Sequence, residues 1–564
     1  MAPLPTHSVT ATSSSDVSLT GDAGGTSPGT EKGSRGSRRR GWDRIGAPCL
    51  FVVVFLVCSV LLEIHLGKAM WWDTLNYEYY TGWAFFHGFG SRFALPGQFQ
   101  TYLDPQINAL YYLLIRHTSP EVEGTTIAAL ESLSLSLIAL LVFRAARKAT
   151  WTIWQATALG LAAGLVGLLS PTYRSELGST MSDGLLALPI ITAAALLYWP
   201  LRSRSATVRL RCALGAGVVL GFTVVIKLTT LAMAVALIVG FGVALAWGRG
   251  PQVSTKERVT ILGIVGGSST LVAALIYLPL GATLSQRYQN LFFPYLNSVA
   301  QSPLQQPGNF RDPSLVVHGL GNWFHNMVGL VVGTHSLEAG VATQRSPLLI
   351  FGAIALLGLL VDDVVRRRSP TSLFLELSAL LAFILWSFTV VGYRYVAPLE
   401  ITMGGLLVFL TLERAGARRL IPSIVAAATI AVAACGGSGA NVTREPFGQS
   451  FFMFDRSLLS RDAGRHVLMI GGSPMGYLVP SLASGTDVVR VDGNLDQVMS
   501  ARWWAMVSQH ITSSSRSWTV IEVQGGAASS RQSLDRIGVS GSIGGCVSLQ
   551  AIPIPLEICR LTLG

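Results

Sequence analysis

Phe51-Val52-Val53-Val54-Phe55-Leu56-Val57-Cys58-Ser59-Val60-Leu61-Leu62 is the centre of an apolar run from Ala47 to Leu66. Trp71-Trp72-Asp73-Thr74-Leu75-Asn76-Tyr77-Glu78-Tyr79-Tyr80 follows it. A run of about twenty mostly apolar residues crosses a bilayer as one helix. It is too long for a signal-peptide core and has no small-residue cleavage site before Trp71, so it reads as a retained anchor. Trp and Tyr collect at membrane interfaces, which accounts for the aromatics. It does not account for Asp73 and Glu78, because an ionised carboxylate at the edge of a low-dielectric layer is costly. Together with Tyr102-Leu103-Asp104-Pro105, this segment points to a site that binds something polar at the membrane surface.

Working outward, the 564 residues are 50% hydrophobic and 13% charged, against roughly 25% charged in a soluble domain. The apolar residues fall in long runs at 47–66, 124–143, 154–170, 179–199, 212–228, 230–247, 259–280, 347–364, 372–391, 397–412 and 421–435. The expected fold is a polytopic α-helical membrane protein of about eleven transmembrane helices with a small C-terminal α/β domain. The expected divisions are a disordered cytoplasmic tail at 1–41, a transmembrane domain at 42–435 and an extracytoplasmic α/β domain at 436–564. The tail is rich in Ser, Thr and Gly and ends in Arg38-Arg39-Arg40; it has too little apolar surface to offset the entropy of ordering.

The net charge of +11 raises nucleic-acid binding. However, the basic residues sit in short loops and are not interleaved with aromatics as such binding needs. Basic clusters occur at 38–40, 144–148, 202–211, 249–258, 366–368 and 414–419. With the N-terminus inside, all of them face the cytoplasm, as loop charge requires. The segments 67–123, 171–175, 227–230, 281–346, 392–396 and everything after 435 then face outward. The expected location is a bacterial-type cell membrane, with the working face outside.

In the C-terminal segment, strand-like runs at 466–470, 488–491 and 518–523 alternate with helix-like stretches, as in a small α/β sheet. Cys546 and Cys559 lie in two final strand-like runs, spaced as cross-strand neighbours, and an outward-facing compartment permits their oxidation to a disulfide. Cys49, Cys58, Cys212 and Cys435 read as packing residues, and no Cys/His cluster has zinc spacing. The turn Gly471-Gly472-Ser473-Pro474-Met475-Gly476 follows a strand and could cradle a phosphate, but it matches neither glycine fingerprint and Pro474 removes a donor amide, so it reads first as a tight strand-to-helix turn.

Several polar residues need a reason to be where they are. Asp73 reads either as part of an interfacial anchor or as a general base that takes a hydroxyl proton. Glu78 and Asp104 can assist it, though Asp104, just before Pro105, can equally be the N-cap of a surface helix. Glu176 and Asp183, seven apart, share one face if the segment is helical, with Thr180 between them; helix pairing is the plainer alternative. Lys227, Arg394 and Arg174 are basic residues at outer hairpins, where the loop-charge trend is against them. Lys227 can snorkel, and all three can meet an anionic phosphate, for which the Arg fork is suited. Tyr77 and Tyr395 lie beside these groups as substrate contacts. The stretch 287–297, with Tyr288 and Asn290, and the stretch 309–313 combine amides, rings and Arg in a manner suited to sugars, or form an ordered amphipathic surface helix.

Taken together, the order and placement of Asp73 after the first span, Glu176-Thr180-Asp183, Lys227-Leu228-Thr229 after a Gly-rich run and Arg394-Tyr395-Val396-Ala397-Pro398 resemble the GT-C superfamily of membrane glycosyltransferases over about 47–435. The resemblance implies a polyprenyl-phosphate sugar donor, a glycan or glycolipid acceptor, and Asp73 as catalytic base, with inversion at the anomeric carbon. The Asp-Glu pair of several branches is here a lone Asp73, with Glu78 five residues on. This weakens the case for the divalent metal that some branches use, and no other cofactor is implied. The rivals are a lipid-linked glycan ligase or polymerase, a transporter or flippase of lipid-linked sugars, and a scaffold for the outer domain. A transporter would carry its polar residues through to the cytoplasmic half.

Overall fold

A computed structural model describes residues 45–247, 253–310, 316–334, 344–389, 391–415, 418–436 and 443–564. The expected tail and residues 311–313 of the stretch 309–313 lie outside the described residues. The chain is a multi-pass membrane protein. Among the described residues, eight helices are long and apolar enough to cross a membrane, and three shorter apolar helices accompany them. Ion pairs gather several basic loops at one end of the bundle. Arg202 and Lys148 both reach Glu413, at 2.8 and 3.9 Å, and Arg414 reaches Asp363 at 2.9 Å.

Helix starts follow local chemistry. The Ser119 side chain caps Pro120–Lys148 by accepting from Val122 N, and Thr152 and Gln155 form a reciprocal capping box on Ile153–Leu168. One expectation fails in an informative way. The run at 179–199 is not one helix: a short helix Pro171–Glu176 is followed by turns, and the helix begins only at Ala187. Gly178 (φ 66) and Ser182 (φ 64) take left-handed backbone there, which ends helical pairing.

The 34-residue helix Thr255–Tyr288 is about 51 Å long at 1.5 Å per residue, well beyond a hydrocarbon layer of about 30 Å. Its last turns run on beyond the length that a crossing requires. They carry Leu284 and Tyr288 into a core shared with Leu95, Phe99 and Tyr102 of the loop segment after the first span and with Leu468, Val491, Trp503 and Trp518 of the C-terminal domain.

Nine strands are described. β1 (Lys68–Ala69) pairs antiparallel with β2 (Arg444–Glu445), joining the end of the first helix to the start of the C-terminal domain. β3 (Met453–Phe454) pairs with β8 (Ala551–Ile552). The C-terminal sheet holds β4 (His466–Ile470), β5 (Asp487–Val491), β6 (Ser517–Val523), β7 (Gly541–Leu549) and β9 (Leu556–Leu563), in the order β5-β4-β6-β9-β7. The first three are parallel and the last two antiparallel. The second face of this sheet is covered from the membrane side too: Met70, Leu75, Tyr79, Tyr80 and Tyr112 pack with Phe452, Met469, Tyr477 and Ile558.

Cys546 and Cys559 are bonded to each other across β7 and β9. Purified protein should give no labelling of either residue by a maleimide until reductant is added, although Cys546 is exposed; labelling without reductant would contradict the bond.

Candidate active site

The loop segment after the first span leaves β1 and turns at once into a helical stretch, Thr74–Glu78, continued by Tyr79–His87. This geometry stacks Thr74 over Glu78, whose Oε2 accepts from the Thr74 hydroxyl at 3.1 Å. Thr180, from the irregular segment after Pro171–Glu176, also donates to Glu78, and its hydroxyl lies 2.6 Å from that of Thr74. Burial, with the Asp73 charge nearby, holds the Glu78 carboxyl above the usual range.

Asp73, one residue before that turn, is paired with Arg394 at 2.6 Å although the two are 321 positions apart. Arg394 lies in the turn Tyr393–Val396 and also donates to the Tyr395 hydroxyl at 3.1 Å. Lys227 Nζ stands 5.9 Å from the Tyr395 ring centre. Lys227 is extended (φ −152°) where helix Ala206–Ile226 ends. It does not snorkel; it is buried and paired with Asp183 at 2.6 Å. Asp183 and Glu176 do meet, but by chain reversal and not as a helical stripe: Glu176 Oε2 accepts from Gly184 N at 3.0 Å. Glu176 Oε1 is buried with no hydrogen-bond partner among the described residues.

Asp104 approaches from the far end of the same loop segment. It precedes helix Pro105–His117, but its side chain makes no capping bond. Its backbone is left-handed (φ 51°, ψ 42°), which is uncommon for any residue but glycine and disfavoured before proline. Burial pushes its carboxyl up to about 7; the Asp183 and Asp73 charges add to the shift, and Lys227 and Arg394 oppose it. Tyr77 feels the charges of Asp73, Glu78, Arg394 and Asp104, and its phenol is held well above its ordinary range, chiefly by burial.

The structure therefore brings together Asp73, Tyr77, Glu78, Asp104, Glu176, Asp183, Lys227, Arg394 and Tyr395. Arg174 sits on the short helix Pro171–Glu176 that also carries Glu176. Tyr288 and Asn290 lie elsewhere. The Tyr288 ring stacks on Phe293, and its hydroxyl donates to Arg92 O at 2.8 Å. The Asn290 amide donates to Gln305 Oε1 at 2.7 Å and to Tyr295 O at 2.8 Å. Their polar atoms are spent on folding the loop.

Two supports escaped the sequence reading. Glu400, buried within Ala397–Ala415, accepts from Thr172 N at 3.0 Å, the Tyr393 hydroxyl at 2.8 Å and the Thr172 and Ser346 hydroxyls. It ties the Arg394 turn to the short helix. Arg444 of β2 pairs with Glu63 at 3.1 Å and donates to Leu177 O at 2.8 Å and Ser175 O at 3.1 Å, fixing the segment that leads to Thr180. Acidic residues inside apolar runs were the available signal.

Among the described residues, the one group of three or more His, Cys, Asp or Glu with ligand atoms close enough for a single ion is Glu522, Cys546, Glu557 and Cys559, and its cysteines are bonded to each other. The carboxylates around Asp73 are not gathered in that way, and no step is assigned to a metal.

No protein-family model matches this chain, and no curated protein matches it. Solved structures do. ArnT from Cupriavidus metallidurans bound to undecaprenyl phosphate is 12% identical, with a TM-score of 0.46 over 91% of this chain and 98% of that one. The Archaeoglobus fulgidus oligosaccharyltransferase in its apo form is 12% identical, with a TM-score of 0.43 over 89% and 74%. The same archaeal enzyme in complex with an inhibitory peptide and a dolichol-phosphate gives 0.44 over 89% and 73%, again at 12% identity.

Proposed function

We propose that this protein is a glycosyltransferase that moves a sugar from a polyprenyl-phosphate donor to an acceptor hydroxyl at the outer face of the membrane. The observation that carries the proposal is the Asp73–Arg394 pair at 2.6 Å, set beside the Lys227–Asp183 pair. In each, a cation suited to phosphate is neutralised by an aspartate that a bound phosphate would displace. A donor phosphate at Arg394 and Lys227 exchanges one anionic partner for another. This limits the cost of burying the charge and releases Asp73.

Asp73, poorly hydrated and no longer paired, takes the proton of the acceptor hydroxyl. The oxygen attacks the anomeric carbon, and the carbon–oxygen bond to phosphate breaks with inversion. Polyprenyl phosphate then leaves with the electron pair, held by Arg394 and Lys227. Cations placed where charge develops are usually the largest catalytic contribution. Glu78, Tyr77 and ionised Asp104 position the acceptor through hydrogen bonds.

The test is transfer of labelled sugar from a panel of polyprenyl-phosphate sugars to lipid or glycan acceptors by purified protein. Label that never leaves any lipid, in protein shown to be folded, would sink the proposal. A pH profile sharpens it. With the Asp104 carboxyl at about 7, the group is protonated below that pH and loses the negative charge that strengthens its hydrogen bond to the acceptor. The rate should therefore fall on the acid side with a midpoint near 7. Asp104→Asn should remove this limb and lower the plateau about tenfold or more; an unchanged limb would take Asp104 out of the site.

A further inference from the structure

In open α/β sheets, ligands bind outside the carboxyl ends of parallel strands, where the strand order reverses. Here that place lies around β4, with β5 on one side and β6 on the other. Its rim is the Gly471-Gly472-Ser473 turn after β4 and Asp492-Gly493-Asn494 after β5. The rim is already occupied by Gln98 of the loop segment after the first span. Gln98 Nε2 donates to Gly472 O at 3.0 Å, and Gln98 Oε1 accepts from Asn494 N at 2.7 Å. The fit is close: Gly493 has φ 77°, and a Cβ on it would overlap Gln98 Oε1. Asn494 adds two contacts, accepting from Phe99 N at 3.4 Å and donating to Gln100 Oε1 at 3.0 Å. Buried Arg490 holds the Gly471–Ser473 turn from below and reaches Pro96 O.

The same amide faces the candidate active site. Gln98 Nε2 lies 3.3 Å from Asn76 Oδ1, and Asn76 Nδ2 donates to Gly97 O at 3.1 Å. Asn76 is fully buried in the turn between Asp73 and Glu78. In the other direction, Gln98 opens the helical turn Gln98–Tyr102 that delivers Asp104, and the Thr101 hydroxyl donates back to Gln98 O at 2.7 Å. One side chain thus stands between the segment bearing Asp73 and Glu78, the segment bearing Asp104, and the C-terminal sheet.

We infer that Gln98 is a positioning residue: the carboxyl edge of the C-terminal sheet serves as a socket for its amide and through it sets the separation of Asp73 and Glu78 from Asp104. This inference rests on the proposed transferase reading for its activity arm only. The C-terminal domain, on this view, acts on transfer without touching either substrate. Arg394 and Lys227 are held by other segments, so donor binding is not part of the effect.

The test uses full-length protein with Gln98→Ala, and with Asn494→Ala as a milder variant that strips the socket of its side-chain bonds to Phe99 N and Gln100 Oε1 and so loosens the seat of Gln98. Amide hydrogen exchange is read first, because it does not depend on the reaction. Gln98→Ala should speed exchange at both 74–80 and 101–105, while segments around 393–396 stay at the wild-type rate. In the transfer assay, kcat should fall about 10²-fold, the scale expected for a misplaced catalytic group, with the donor KM within threefold of wild type. Asn494→Ala should show the same pattern at about three- to tenfold. If exchange at 74–80 and 101–105 is unchanged in both variants, or if kcat, donor KM and melting temperature all move together, the inference is overturned. If Gln98→Ala does not fold, Asn494→Ala decides by the same criteria. A wild-type protein with no transfer activity would refute the proposed function and leave the exchange result to judge the socket.

Discussion

Asp73→Asn lowers the rate of sugar transfer by about 10²–10⁴-fold, the range a positioned general base contributes, and at the same time leaves donor affinity equal to or tighter than wild type. The second half of that expectation separates a base from a mere structural contact. In the resting protein the Asp73 carboxylate occupies Arg394 at 2.6 Å. Asn keeps the shape and a hydrogen-bond acceptor but removes the negative charge. An incoming phosphate then meets less competition at Arg394, while the acceptor hydroxyl has nowhere to send its proton. Single-turnover transfer and equilibrium binding of a labelled polyprenyl-phosphate sugar measure the two halves separately. Transfer at the wild-type rate would remove Asp73 as base; equal loss of rate and donor binding would make it a structural partner of Arg394.

Arg394→Ala weakens donor binding by about 10- to 150-fold, equivalent to the roughly 1.5–3 kcal/mol of a charge-assisted hydrogen bond, and leaves acceptor binding within about threefold. Arg394→Lys recovers only part of the loss. An ammonium restores the charge but cannot bond phosphate through two parallel N–H groups. The Arg394 turn is held independently, by Trp386 Nε1 donating to Gly392 O at 2.9 Å and by the Tyr393 bond to Glu400, so the turn should survive the substitution. Binding isotherms for donor and acceptor, taken on the same preparation, are the measurement. Unchanged donor affinity would exclude Arg394 from the phosphate site.

Much of the architecture was legible because it is written in composition. Apolar runs locate the spans, and alternating strand-like and helix-like runs locate the C-terminal sheet. The segment 179–199 was misread because its apolar residues look helical in a window. What breaks the helix is specific: left-handed Gly178 and Ser182, and a Glu176 carboxylate that takes the amide of Gly184. Glu176 and Asp183 belong together for that reason and not for their spacing of seven. Asp73 and Arg394 could each be singled out as a charge in an expensive place, but their contact spans 321 positions and is a property of the bundle. Glu400 and Arg444 went unnoticed because a charge in or beside an apolar run marks hydropathy but not its partners, which lie far along the chain: Thr172 and Ser346 for Glu400, Glu63 for Arg444. Gln98 was invisible for a related reason: nothing about a glutamine in a loop reveals that a sheet edge closes around it.

The shared cores of the C-terminal sheet constrain how the protein can be cut or recombined. Leu95, Phe99, Tyr102, Leu284 and Tyr288 complete one face of the sheet, and Met70, Leu75, Tyr79 and Tyr80 complete the other. A secreted fragment starting near residue 443 would carry two bare oily faces into water and clump. A chimera that grafts this sheet onto a foreign bundle must bring the 67–117 stretch and the top of the long mast-like helix with it. The sheet and the bundle beneath it fold as one piece.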